Sequence, residues 1–176
     1  ESFRDSFWNE RRGFLNDCIW PDGSPDESIR PNQIFAVSLP FSPLTHQQQL
    51  GVVWTVEKKL LTPCGLRSLS PDDKRYKGRY TGPQRQRDEA YHQGTDWPFL
   101  LGHFVEAYLK VNEFSDESKK RAGGFIAPLL NHLTQDGCLG QVAEIFEGDP
   151  PHTPKGCLAQ AWSTGELIRA YMMING

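Results

Sequence analysis

With 176 residues, 20.0 kDa, a formal net charge of −3 and a pI near 6.0, the chain fits one domain with a sizeable core. That charge gives no electrostatic case for nucleic acid or a polybasic membrane surface as partner. Cys18, Cys64, Cys138 and Cys157 stand far apart, without a C-x-x-C pair or a Cys/His cluster, which argues against structural zinc and for reduced thiols in a cytoplasmic protein. No signal-peptide core and no apolar run of about 18 residues appears, so neither secretion nor a membrane span is expected, and no metal or other cofactor is called for. The chain opens at Glu1 without methionine and enters helical sequence at once, which points to a piece of something longer.

Ser2 to Glu10 places Phe3 and Phe7 one turn apart beside Trp8, a short amphipathic helix stopped by Gly13. Phe14 to Trp20 is short, and Pro21 to Asp26 is rich in turn residues. Pro31 suits the first position of a helix running to Leu39, uncharged after Arg30 and therefore buried nearly all round. Thr45, with Gln48 three residues on, matches a capping box for a helix reaching about Leu61, with Leu50, Val53, Trp54, Leu60 and Leu61 on its apolar face.

Thr62 to Gly94 has little periodicity and reads as a long solvated loop, basic at Lys74, Arg75, Lys77, Arg79, Arg85 and Arg87 but balanced by acidic neighbours. Thr95 or Asp96 is the expected cap of the strongest helix, Trp97 to Lys110, with Pro98 tolerated in its first turn. Ser115 caps an amphipathic helix to about Gln135. Gly140 to His152 then reads as a strand or extended loop presenting Glu144, Glu147, Asp149 and His152. Leu158 to Ile174 is the last helix, with Ala161, Trp162, Leu167, Ile168, Tyr171 and Met172 on its buried side.

These six helices alternate between amphipathic and largely uncharged, the pattern of an outer ring packed around an inner one in an all-α fold. Polar residues of the uncharged helices gather at their N-terminal ends: Arg30, Asn32 and Gln33, then Tyr91, His92, Gln93, Asp96 and Trp97, then Gln160, Trp162 and Ser163. If those helices run parallel, the ends meet on one rim with the carboxylate stretch. Amides, carboxylates and indoles around one concavity suit a polyhydroxylated ligand. Taken singly, Trp97 and Trp162 read as core, His92 as a satisfied loop histidine, and the acidic stretch as a solvated loop. No G-x-S-x-G elbow and no H-E-x-x-H motif supports a serine or metal hydrolase.

Four stretches carry a family resemblance: Ser28-Ile29-Arg30-Pro31-Asn32-Gln33, Tyr91-His92-Gln93-Gly94-Thr95-Asp96-Trp97-Pro98, Glu144 to His152, and Gly156-Cys157-Leu158-Ala159-Gln160-Ala161-Trp162-Ser163. In this order they resemble the glycogen debranching enzymes, specifically the C-terminal part of the amylo-α-1,6-glucosidase domain. The resemblance implies about half of an (α/α)6 toroid, with residues 1–176 a single domain that is a C-terminal fragment of the catalytic domain. It implies hydrolysis of α-1,6-glucosidic branch linkages in glycogen or maltodextrin by an inverting mechanism, with Glu144 as general base. Glu147 and Asp149 would shape the loop or bind a hydroxyl, and the other residues named above would bind the α-glucan. The family's general acid lies in a Thr-Trp-Met-Asp type motif absent from this chain, so the fragment alone is expected to be inactive and, with half a toroid's sides uncovered, to self-associate. The alternatives are a non-catalytic glycan-binding helical module using the same rim, and a helical interaction domain with no sugar site.

Overall fold

In the computed structural model, which describes residues 2–176, helix ends follow local side-chain chemistry while the segments between them are tied by short strand pairings. Helix α1 (Ser2–Phe7) is shorter than predicted, because Trp8–Asn9 (β1) leaves it to pair with Phe14–Leu15 (β2). Cys18–Ile19 (β3) and Pro25–Asp26 (β4) form a second hairpin with Trp20 at its turn. A 3-10 turn, Pro31–Ile34, runs into α2 (Phe35–Ser38), with proline at the start as the sequence indicates. Thr45 and Gln48 make the reciprocal capping box, at 3.3 and 3.0 Å, that starts α3 (His46–Lys59). Next come β5 (Leu66–Arg67), α4 (Gln84–Ala90), β6 (Asp96–Trp97) and α5 (Phe99–Val111). Ser115 accepts from the Ser118 N–H to start α6 (Asp116–Gln135), and β7 (Ile145–Phe146), β8 (Pro154–Lys155) and α7 (Ala161–Asn175) complete the order.

The all-α expectation is corrected: the fold is helix-rich with a small sheet component, and α4 makes seven α-helices rather than six among the described residues. The principal sheet is antiparallel in the order β5-β6-β7-β8, with Leu66 opposite Trp97, Asp96 opposite Phe146 and Ile145 opposite Lys155. Strands of two residues show no alternation, so no sequence period announces them. Asp96 and Trp97 therefore do not begin α5. Their backbones belong to the sheet, and Pro98, which has no N–H to leave unpaired, takes the cap position without side-chain help. Helix α4 sits inside the stretch expected to be a loop. Only Ala90 of it is buried. Glu89 ties it to Lys77 at 2.7 Å, and an i,i+4 pair of Glu89 with Arg85 at 3.1 Å lies within the helix.

Helix α5 is central and packs against α2, α3, α6 and α7, which is why its apolar residues run all round it. Phe104, Leu101 and Leu109 are fully buried there, and truncating Phe104 to alanine would cost roughly 3–5 kcal/mol. The largely uncharged helices α2, α5 and α7 form one row, backed by the amphipathic α3 and α6. The last helix departs from expectation: only Ser163, Leu167 and Ala170 are buried, while Trp162, Ile168, Tyr171 and Met172 are 46–67% exposed. Helix α7 lies chiefly against α5 and α6, so the side facing away from them has no cover among the described residues.

Candidate active site

The N-terminal ends of the row do meet. A cleft of about 580 Å³ is lined by Arg30 and Asn32 ahead of α2, by His92, Gln93 and Trp97 ahead of α5, and by Trp162 in the first turn of α7. Its wall is aromatic. The His92 and Trp97 rings stack at 5.3 Å and 7°, Trp162 stacks on Phe99 at 4.2 Å, and Trp162 meets Trp97 edge-on at 6.1 Å. Trp97 is buried, its indole N–H reaching Thr95 Oγ1 at 3.1 Å and the Tyr91 carbonyl at 3.3 Å, whereas Trp162 is half exposed.

Arg30 organises this end rather than offering a free cation. Its guanidinium donates to the carbonyls of Ser68 (3.0 Å) and His92 (2.7 Å) and to Gln93 Oε1 (2.8 Å), and lies 3.5 Å from Asp17. Burial first, and the nearby Arg30 second, push His92 below the ordinary imidazole value, which favours a neutral ring able to donate and accept.

The carboxylate stretch reaches the same end through the sheet, because β7 pairs with the strand that carries Trp97. Glu144 precedes β7 and is half buried. The Tyr91 hydroxyl donates to its Oε1, the Cys157 N–H donates to Oε2 at 2.8 Å, and the Glu144 N–H bonds the Cys157 carbonyl at 2.9 Å. Gly156 has a φ of 68°, and a Cβ there would run into the Glu144 carboxylate, so glycine meets both demands. Glu144 touches the cleft's wall through Tyr91, whose ring meets Trp97 at 4.9 Å and His92 at 4.8 Å, but it is not among the cleft's lining residues.

The other acidic residues of the stretch face elsewhere. Glu147 is buried and paired with Arg79 at 2.8 Å, Asp149 accepts from the Tyr76 hydroxyl at 2.9 Å, and Arg79 also bonds the Pro150 carbonyl at 2.6 Å. Arg67 holds the Gly148 carbonyl at 2.9 Å, and Gly148 packs so close to the Gly94 carbonyl that no side chain fits. His152 turns back on its own loop, its Nδ1 3.0 Å from the Glu147 carbonyl. Arg67 and Arg79, within the locally basic segment, thus clamp the acidic loop. Asp96 is fully buried in β6 with Thr62 donating to Oδ2, and burial raises its pKa to about 7. Gln33 points its amide at the Arg30 carbonyl at 3.0 Å, and Gln160 caps α7 without a side-chain bond.

Sequence reasoning missed Trp20, 51% exposed on the β3–β4 turn, and the pair Asp17 and Asp26, all lining the cleft. The signal for Trp20 was an indole set directly before a run of turn residues, where core tryptophans are rare. Asp17, Cys18 and Asp26 gather potential metal-ligating atoms within 4.8 Å of one another, but Arg30 faces Asp17, and Ser28 and Arg75 face Asp26, so protein groups already compensate the charge. No helix among the described residues is long and apolar enough to cross a membrane.

Comparison with known proteins gives this arrangement a context. The glycogen debranching enzyme of Saccharomyces cerevisiae is 31% identical over 108 residues, covering 56% of this chain and 7% of that protein. Neutral trehalase from Saccharomyces cerevisiae shares the fold with a TM-score of 0.64 at 15% identity, over 97% of this chain and 28% of the trehalase chain. The family described as amylo-alpha-1,6-glucosidase matches residues 1–169. The chain is a member of the amylo-alpha-1,6-glucosidase family.

Proposed function

We propose that this chain contributes a general base and a glucan-binding cleft to a glucosidase that hydrolyses α-1,6 branch linkages of glycogen or maltodextrin. The observation that carries the reading is Glu144: a partly buried carboxylate held by two donors, one on each oxygen, beside an aromatic cleft. Donors of this kind hold the carboxylate in one orientation, as a positioned base requires. In an inverting enzyme one carboxyl group protonates the leaving oxygen, while a second, roughly 6.5–9.5 Å away, removes a proton from the attacking water. Glu144 takes the second role, and the acid comes from outside these residues. The sugar's apolar face would stack on Trp162, with Asn32, Gln93 and the neutral His92 bonding its hydroxyls. Residues 1–176 would then form one domain equivalent to about half an (α/α)6 toroid in a cytoplasmic protein. The chain would be inactive alone and would self-associate through its exposed apolar edge.

The test is Glu144→Gln in the full-length protein. Glucose release from a branched limit dextrin should fall roughly 10²–10⁴-fold while maltooligosaccharide binding survives. Unchanged turnover would overturn the reading. A non-catalytic glycan-binding module is the second reading, favoured because the cleft's lining does not include Glu144, and it predicts that unchanged turnover.

A further inference from the structure

The sequence grouped Tyr91 with the sugar-binding residues, yet its single O–H is directed at Glu144 Oε1. The opposite oxygen is fixed independently, by the Cys157 N–H at 2.8 Å, and the collision that any Cβ at Gly156 would make with the carboxylate closes that side. Tyr91 is itself held. Its ring lies edge-on to Trp97 at 4.9 Å and to His92 at 4.8 Å and is tilted against Tyr80 at 5.8 Å. Its carbonyl accepts from Thr95 Oγ1 at 2.5 Å and from the Trp97 indole at 3.3 Å.

We propose that Tyr91 is the positioning residue for Glu144: an aromatic lever that transmits the placement of the Trp97 wall to the carboxylate and fixes which lone pair of Oε1 remains for water. The proposal rests on the reading of Glu144 as general base. A carboxylate with one donor on each oxygen keeps a free lone-pair direction on both, but only one rotation about its final bond satisfies both donors. Productive proton removal depends on that direction, and holding it before substrate arrives is the form of preorganisation that lowers a barrier without tightening ground-state binding. Burial, and then the bond to Glu144, push the Tyr91 phenol above its ordinary value, so it remains a donor throughout the neutral range. The other titratable or charged groups on the surrounding elements are Tyr80 with Arg87 over its ring, His92, Lys155 opposite Ile145 on β8, and the Cys157 thiol.

Tyr91→Phe in the full-length protein removes one oxygen and keeps every ring contact. With branched limit dextrin as substrate, kcat should fall about 10–100-fold, the loss expected for one hydrogen bond to a charged group. KM should stay within about twofold. A raised KM with kcat intact would make Tyr91 a sugar contact and overturn the proposal, as would no change in either. Glu144→Gln separates the two layers. If it retains activity, the reading of the base fails. If it is inactive while Tyr91→Phe is silent, only the positioning role fails.

Discussion

Glu144 and Glu147 stand on either side of the two residues of β7, with the same functional group and opposite surroundings. Three positions apart on extended backbone, their side chains leave opposite faces. One lies beside Tyr91 at the wall of the aromatic cleft, partly buried and bonded by neutral donors. The other turns inward to Arg79, 4% exposed at its side chain, with Oε1 unpaired among the described residues. Asp96, on the neighbouring strand, shares the inward condition. A carboxylate held by neutral donors at a water-accessible edge is available to a reaction. One buried against a guanidinium is part of the scaffold.

The sharpest way to break that contrast is to neutralise Glu144. Glu144→Gln should lower turnover of the full-length protein by roughly 10²–10⁴-fold and leave its urea midpoint nearly unchanged. Arg79→Ala should do the reverse. It strands Glu147, costing about 2–3 kcal/mol of stability by urea unfolding, with kcat kept within a few-fold. Asp96 gives an intermediate effect that depends on pH. Its folded value near 7 lies above the unfolded value of 3.8, so the stability it contributes is complete below about pH 4 and is lost as pH rises through 7. Asp96→Asn should flatten that decline, on the order of 2 kcal/mol between pH 4 and 8 in paired urea titrations. The smallest effect is expected at the cleft. Trp162→Ala should weaken maltooligosaccharide binding by about tenfold, read by titrating the remaining tryptophan fluorescence.

The same contrast explains what the sequence could disclose. Thr45 with Gln48, Ser115, and the apolar run of α5 are decided within one or two turns of chain, and each stands where the sequence places it. Convergence of Arg30, Asn32, His92, Gln93, Trp97 and Trp162 on one cleft was legible because uncharged helices pack in the middle and their polar ends must emerge together. The sheet was hidden, since pairings such as Leu66 with Trp97 join distant positions through strands too short to have a period. Helix α4 was hidden for the opposite reason, being charged nearly all round with a single buried alanine. Which glutamate lies against the cleft's wall through Tyr91 was not readable from spacing at all. The partners that sort them, Tyr91 and Arg79, come from elsewhere in the chain and meet β7 only in the fold.

The clamp on the acidic loop also bears on how the protein reaches its native state. Arg67 and Gly148 are separated by 81 positions, Arg79 and Glu147 by 68, and they join segments whose strands are only two residues long. Closing such loops has an entropic cost that a two-residue strand cannot offset alone, so these contacts are expected to form after α5 has gathered its neighbours. In stopped-flow refolding, far-UV helical signal should appear before the Trp97 environment is native. Arg79→Ala should lengthen that interval if the carboxylate edge is assembled last, and an unchanged interval would count against that order.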